Sequence, residues 1–134
     1  MNRNSGFSLV ELMIVIVIIG VLAAVAVPIY NNNVMKAKMS EADATLGSIR
    51  TQLRVYYGEQ GEYPTATDAY VIGAAWNEIN TGEMTGKYFT DSSYTYTGDS
   101  DAGTYTITCD ANDILESDRT LNQGGTLAGG LISN

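Results

Sequence analysis

The sequence predicts an α+β fold: one long N-terminal helix, apolar in its first half and amphipathic in its second, packed on a small antiparallel β-sheet. Three observations predict it. Residues 12–30, "LMIVIVIIGVLAAVAVPIY", are nineteen positions without a charge. Residues 31–58 turn polar but keep apolar side chains at helical spacing. Two later stretches, "KYFTDSSYTYTG" and "GTYTITCD", alternate with the period of two that marks strands.

The apolar run comes first. A helix over it would be about 30 Å long, and longer if counted from Phe7, enough to cross a bilayer. A secretory signal peptide has a similar start but is cut after its hydrophobic segment at small residues. This run instead passes through Pro28 and Tyr30 directly into a polar helical pattern, which favours retention. Charge does not orient it, because Arg3 and the α-amine before it are matched by Lys36 and Lys38 after it. Gly20 and Pro28 are its two intrinsically weak points.

Glu11 is the single acid before Glu41. One reading is local: a first-turn carboxylate interacts favourably with the exposed N–H groups and dipole of a helix start. The other is functional. A lone acid in an apolar segment costs about 2.5–3.5 kcal/mol at mid-bilayer, less near an interface, and marks a pairing role. If the chain were cut between Gly6 and Phe7, the new amine would lie about 6 Å along a helix from Glu11. The carboxylate would offset that charge, in the same chain or in a neighbour.

Beyond Tyr30, Met35, Met39, Ala42, Leu46, Ile49, Leu53 and Tyr56 recur at alternating spacings of four and three, one apolar stripe on a helix. Three heptads is short for a coiled coil, so the stripe is assigned to packing on the protein's own sheet. Gly58 and Gly61 stop the helix and Pro64 prevents its resumption, giving a helix over residues 7–57.

Residues 68–82, "DAYVIGAAWNEINTG", begin with an N-cap candidate in Thr67 or Asp68 and read as a short helix or helical loop, with Trp76 in the core or at an interface. In the second alternating stretch Tyr105, Ile107 and Cys109 share one face and Thr104, Thr106 and Thr108 the other. The first face is expected on the helix stripe and the threonines in solvent. Residues 119–130 read as a last small hairpin turning at Gly124 and Gly125, and the "LISN" that follows as a loose tail. Cys109 reads as a small, inert buried residue, the alternative being an intersubunit bridge.

The formal net charge is −8, with a sequence pI near 4.2, so polyanions such as nucleic acid are not expected partners. The one basic cluster is Lys36, Lys38, Arg50 and Arg54. The chain has no histidine and a single cysteine, which removes the commonest general base, the Cys-rich zinc sites and any intramolecular disulfide. No acid, base and nucleophile set converges in the pattern, so an enzyme is not expected and no cofactor is assigned. Calcium is the one metal candidate. Asp99 and Asp101 have the spacing that opens some calcium loops, and Asp110, Asp113, Glu116 and Asp118 would complete a site if their loops meet. Acidic residues are also ordinary in turns. The twelve aromatic residues raise electron conduction, but core packing explains them equally.

"GFSLVELMIVIVIIGVLAAVAVPIY" closely resembles the N-terminal segment of type IV pilins and of the pseudopilins of type II secretion. The shared pattern is a leader ending in Gly6, Phe7 as first mature residue, Glu11, then a long apolar helix with Gly20 and Pro28. "GEYP", residues 61–64, is similar to what often follows the first helix in that superfamily. The resemblance implies the pilin fold, a leader at residues 1–6, a transmembrane and assembly helix at 7–30, its amphipathic continuation at 31–58, and a globular head at 59–134. It further implies that a prepilin peptidase in the inner membrane cuts after Gly6 and methylates Phe7. Glu11 would pair with the N-terminal amine of a neighbouring subunit, and the helix would loosen between Gly20 and Pro28 in the filament. The partners implied are the inner membrane, identical subunits, an assembly platform and its ATPases. The location implied is the inner membrane for the precursor and the cell exterior for the filament. The function implied is that of a major pilin, in attachment, twitching motility or uptake. The alternative is a major pseudopilin in a short periplasmic filament; such proteins commonly bind calcium in their C-terminal loops.

Overall fold

The computed structural model describes residues 5–130, in two compact units. One ends at Val34 and the other begins at Met35. A single helix, α1 (Leu9–Gln60), contributes its first part to the former and the remainder to the latter. Arg3 and the "LISN" tail lie outside the described residues.

In the first unit α1 is helical through both Gly20 and Pro28. Its apolar residues cover every face, and none of them is buried. It has the length and composition of a membrane-crossing helix.

The second unit holds the core. Ala42, Leu46, Ile49 and Leu53 of the expected stripe are fully buried, with Met35 and Met39 packed beside them. They meet a five-stranded antiparallel sheet in the order β1 (Ala66–Tyr70), β2 (Tyr94–Asp99), β3 (Thr104–Cys109), β4 (Arg119–Asn122) and β5 (Leu127–Gly129). Each strand pairs with its neighbour in sequence, the arrangement short connections favour. Tyr105, Ile107 and Cys109 face the helix while Thr104 and Thr106 are exposed, as the alternation predicts. Tyr94, Tyr96 and Leu121 join them, and Val71, Met84, Phe89 and Leu115 close the core from the connections.

The helix ends three residues beyond the expected Tyr57, because Gly58 is accommodated within it and Gly61 is the actual stop. Gly61 has a φ of 79° and its N–H donates to the Tyr57 carbonyl at 2.8 Å, a left-handed cap that a glycine adopts without steric cost.

Residues 68–82 are not a helix. Ala66–Tyr70 is the edge strand β1, paired with β2 through a bulge at which Asp68 takes a φ of 47° and donates its N–H to Thr97 Oγ1 at 2.9 Å. Turns follow, to residue 84. Asp and Thr favour bulges and turns for the same local hydrogen bonding that makes them helix caps, and pairing with β2 decided between them. The one short helical element of the head is a 3₁₀ turn at Asp91–Ser93. It takes the start of the stretch read as strand, so β2 begins only at Tyr94. Trp76 packs on Tyr96 at 4.9 Å between ring centroids, and β4 and β5 turn at Gly124 and Gly125.

Candidate functional site: the helix start and the anchors of the head

Glu11 sits in the first turn of α1 in a reciprocal cap. The Ser8 N–H donates to Glu11 Oε2 at 3.0 Å, and the Glu11 N–H donates to Ser8 Oγ at 3.2 Å. This is the capping box written in "SLVE", and it satisfies two donors that a helix start leaves open. The local reading of Glu11 therefore describes the single chain. Phe7 immediately precedes the N–H that the carboxylate holds, so an amine created at Phe7 would arise one residue from it. Phe7 itself is 83% exposed, and the side chains after it stay about half exposed or more as far as Tyr30.

The acidic candidates fall into two groups. Asp99 and Asp101 occupy the β2–β3 turn, where Asp99 Oδ1 accepts the Asp101 and Ala102 N–H groups at 2.9 and 3.2 Å. Asp110, Asp113 and Asp118 lie at the other end of that hairpin, since Asp99 pairs with Thr104 and Tyr94 with Cys109. Five strand steps, about 17 Å, separate the two ends, so these loops do not meet. Asp110 Oδ1 accepts the Asn112 N–H at 3.0 Å, and Asp118 Oδ1 accepts the Ala111 N–H at 2.8 Å. Among the described residues no three acidic or thiol side chains gather as metal ligands. The Asp99, Asp110 and Asp118 carboxylates thus brace the backbone of the loops that carry them.

Two anchors tie the head to α1, and neither was legible in sequence. Arg119 on β4 donates through Nε and Nη2 to the two carboxylate oxygens of Asp43 at 2.7 and 3.0 Å, and through Nη1 to the Gly129 carbonyl at 2.7 Å. Glu41 accepts the backbone N–H groups of Lys87, Tyr88 and Phe89 at 3.0–3.2 Å. A Cβ on Gly86 would run into that carboxylate, so a larger residue there would push it off the three N–H groups. The basic cluster of the sequence is divided: Arg50 turns to the Gln123 carbonyl at 3.3 Å, whereas Lys38 lies against Tyr88.

Residues 1–27 match the family model of the prokaryotic N-terminal methylation motif. A fimbrial protein of Eikenella corrodens, EcpC, is 43% identical over 74 residues, 55% of this chain and 48% of that protein. Two proteins described as type IV major pilins are also similar. PilE1 of Neisseria gonorrhoeae is 44% identical over 85 residues, 63% of this chain and 48% of that one. PilA of Myxococcus xanthus is 43% identical over 61 residues, 46% of this chain and 28% of that one. The chain spans less than half the length of each. These relatives are described as a fimbrial protein and as type IV major pilins.

Proposed function

We propose that this chain, whose N-terminal segment is that of the type IV pilins, is a structural subunit that polymerises into a pilus after cleavage behind Gly6 and N-methylation of Phe7. The observation that carries the reading is a helix whose first part is apolar on every face, with one carboxylate at its start. Burying a large aliphatic side chain is worth roughly 1.5–3 kcal/mol relative to water, so this surface belongs in lipid or in protein. Passing from a bilayer into a bundle of identical helices exchanges lipid contacts for protein contacts at little hydrophobic cost.

Glu11 gives the exchange direction. In the subunit it caps its own helix, and in the filament it would turn to the methylated amine of a neighbour, a charge otherwise unwelcome at the positive end of a helix. Gly20 and Pro28 would be where the helix loosens on assembly. The proposed partners are the prepilin peptidase, the inner membrane, identical subunits, the assembly platform and its ATPases. The filament in this reading is a surface pilus serving attachment, twitching motility or uptake, and the alternative is the short periplasmic filament of a major pseudopilin; the relatives described as fimbrial proteins and major pilins support a filament subunit in either case.

The test is electron microscopy and intact mass on filaments sheared from producing cells, with Glu11→Ala and Glu11→Gln beside the parent. Subunits beginning at methylated Phe7, in surface filaments lost in both variants, are the expected result. Glutamine keeps an acceptor for the Ser8 N–H, so filaments that survive Glu11→Gln would reduce the carboxylate to a helix cap. Processed protein retained in the envelope would assign the pseudopilus, and an uncut chain would overturn both.

A further inference from the structure

The C-terminal part of α1 carries two dissimilar faces. On one, Gln52, Val55, Tyr56 and Glu59 line a groove of about 420 Å³ that Trp76 and Glu78 line from the loop beyond β1. The Trp76 ring packs on Tyr96 at 4.9 Å between centroids and remains only half-buried. No Lys or Arg lines the groove, and neither carboxylate forms an ion pair. Glu59 also lies in the last turn of α1, which holds no basic residue. That is the negative end of the helix dipole, where a cation is favoured and an acid is not.

The other face holds Arg54. It is exposed and forms no ion pair, and its neighbours one turn away are Arg50, Thr51, Tyr57 and Gly58, none of them acidic. It lies about 140–160° around the helix from Gln52, Tyr56 and Glu59, so it does not serve its own groove. Along the axis it is only about 7.5 Å from Glu59. Exposed apolar side chains mark both faces: Val55 lines the groove, and Tyr57 stands one turn from Arg54.

We propose that Arg54 of one copy docks in the Trp76 groove of the next, its guanidinium stacked on the indole and paired with Glu59 and Glu78. The inference rests on the reading of the chain as a filament subunit and supplies a contact between heads. Three arguments select a second copy as the occupant. An acidic, aromatic groove takes a flat, weakly hydrated cation. The chain carries such a cation, unpaired, at nearly the same height on the opposite face of α1. Because the two surfaces differ, the contact is heterologous: each copy added leaves one surface open, and the contact propagates. It is small, and acts between copies that their apolar helices already hold at high local concentration.

The test uses filaments sheared from cells producing the full chain with Gly58→Cys and Ala75→Cys. Gly58 is one turn after Arg54, with open space where a Cβ would stand, and Ala75 lines the groove, whereas Cys109 is buried. A short bismaleimide should yield dimers, trimers and higher multimers, stopping at dimers when either cysteine is present alone. Adding Arg54→Gln, or Glu59→Gln with Glu78→Gln, should cut the yield roughly tenfold. All three together should cut it no further, since each removes the same contact. Trp76, the one tryptophan, reads the groove without added cysteines: acrylamide should quench it less in parent filaments than in those of Arg54→Gln.

Filaments that give no multimers, losses that add, or equal quenching in the two filaments would overturn the contact and leave the subunit reading standing. Shielding of Trp76 by millimolar choline in the dispersed chain, without multimers in filaments, would reassign the groove to a free cationic ligand. A parent chain that forms no filaments would instead defeat the subunit reading.

Discussion

Cys109 lies fully buried on β3, facing α1. Burial pushes its thiol from 9.0 up to about 12, the contact with the Tyr94 hydroxyl opposes this in part, and the negative charges of Asp110 and Asp118 add to it. A protonated, enclosed thiol is a poor nucleophile, and its burial supports the inert reading over the intersubunit bridge. The folded chain should therefore be unreactive toward a thiol reagent at pH 8 and react at once in denaturant. The same burial sets an alkaline limit. Below pH 9 the thiol is protonated in folded and unfolded chains alike, and its contribution is fully present. Between pH 9 and 12 only the unfolded chain ionises, so stability falls as pH rises. Burial raises Tyr94, Tyr96 and Tyr105 in the same direction, which steepens the fall above pH 10. Thermal melts across pH 8–11 should show it, and Cys109→Ala should remove only the earliest part; a midpoint flat to pH 11 would contradict this account.

Among the elements, the C-terminal hairpin depends most on a single side chain. The β4–β5 ladder is short, β5 is exposed, and Arg119 joins them to α1 by gripping Asp43 and the Gly129 carbonyl together. Its side chain is 12% exposed and that of Asp43 29%, so the pair is neither a freely solvated bridge nor a fully buried one. Arg119→Ala should cost about 1–3 kcal/mol, and amide exchange should quicken through β4 and β5 before the rest of the sheet. Uniform exchange, or no loss of stability, would mean that the hairpin holds itself. The elements also differ in how far sequence revealed them. The helix stripe, the Tyr105/Ile107/Cys109 face and the turn at Gly124 and Gly125 are periodic or local features, carried within a few residues. Arg119 and Asp43 are 76 positions apart, and Glu41 is 46 from Lys87, so no spacing announces either anchor. Asp68 failed as a helix signal for a related reason: its local chemistry fits a cap or a bulge, and only the partner strand chooses. At the helix start the leader pattern and Glu11 were legible because "GFSLVE" compresses the whole arrangement into six residues, although the reciprocal bond to Ser8 was not foreseen.

For the molecule as a whole, the division at Met35 is also a division of chemistry. Of the twenty-one exposed large hydrophobic side chains among the described residues, seventeen lie between Phe7 and Tyr30, and only Val55, Tyr57, Tyr70 and Leu127 lie elsewhere. The core, by contrast, begins at Ala42 and ends at Leu121, within the second unit. Both anchors lie there too, so a fragment of residues 35–134 keeps the residues that determine its fold and loses the surface that water rejects. It should be soluble and monomeric without detergent, melt cooperatively, and keep Cys109 unreactive, whereas the full chain partitions into detergent micelles. The thiol is the sharper readout, because a loosely collapsed head would expose Cys109 while retaining helix by circular dichroism. A soluble fragment with a reactive thiol would mean that the apolar helix helps to order the head. A protected thiol would establish that residues 7–30 are free of that duty, and so are available to lipid first and to neighbouring subunits afterwards.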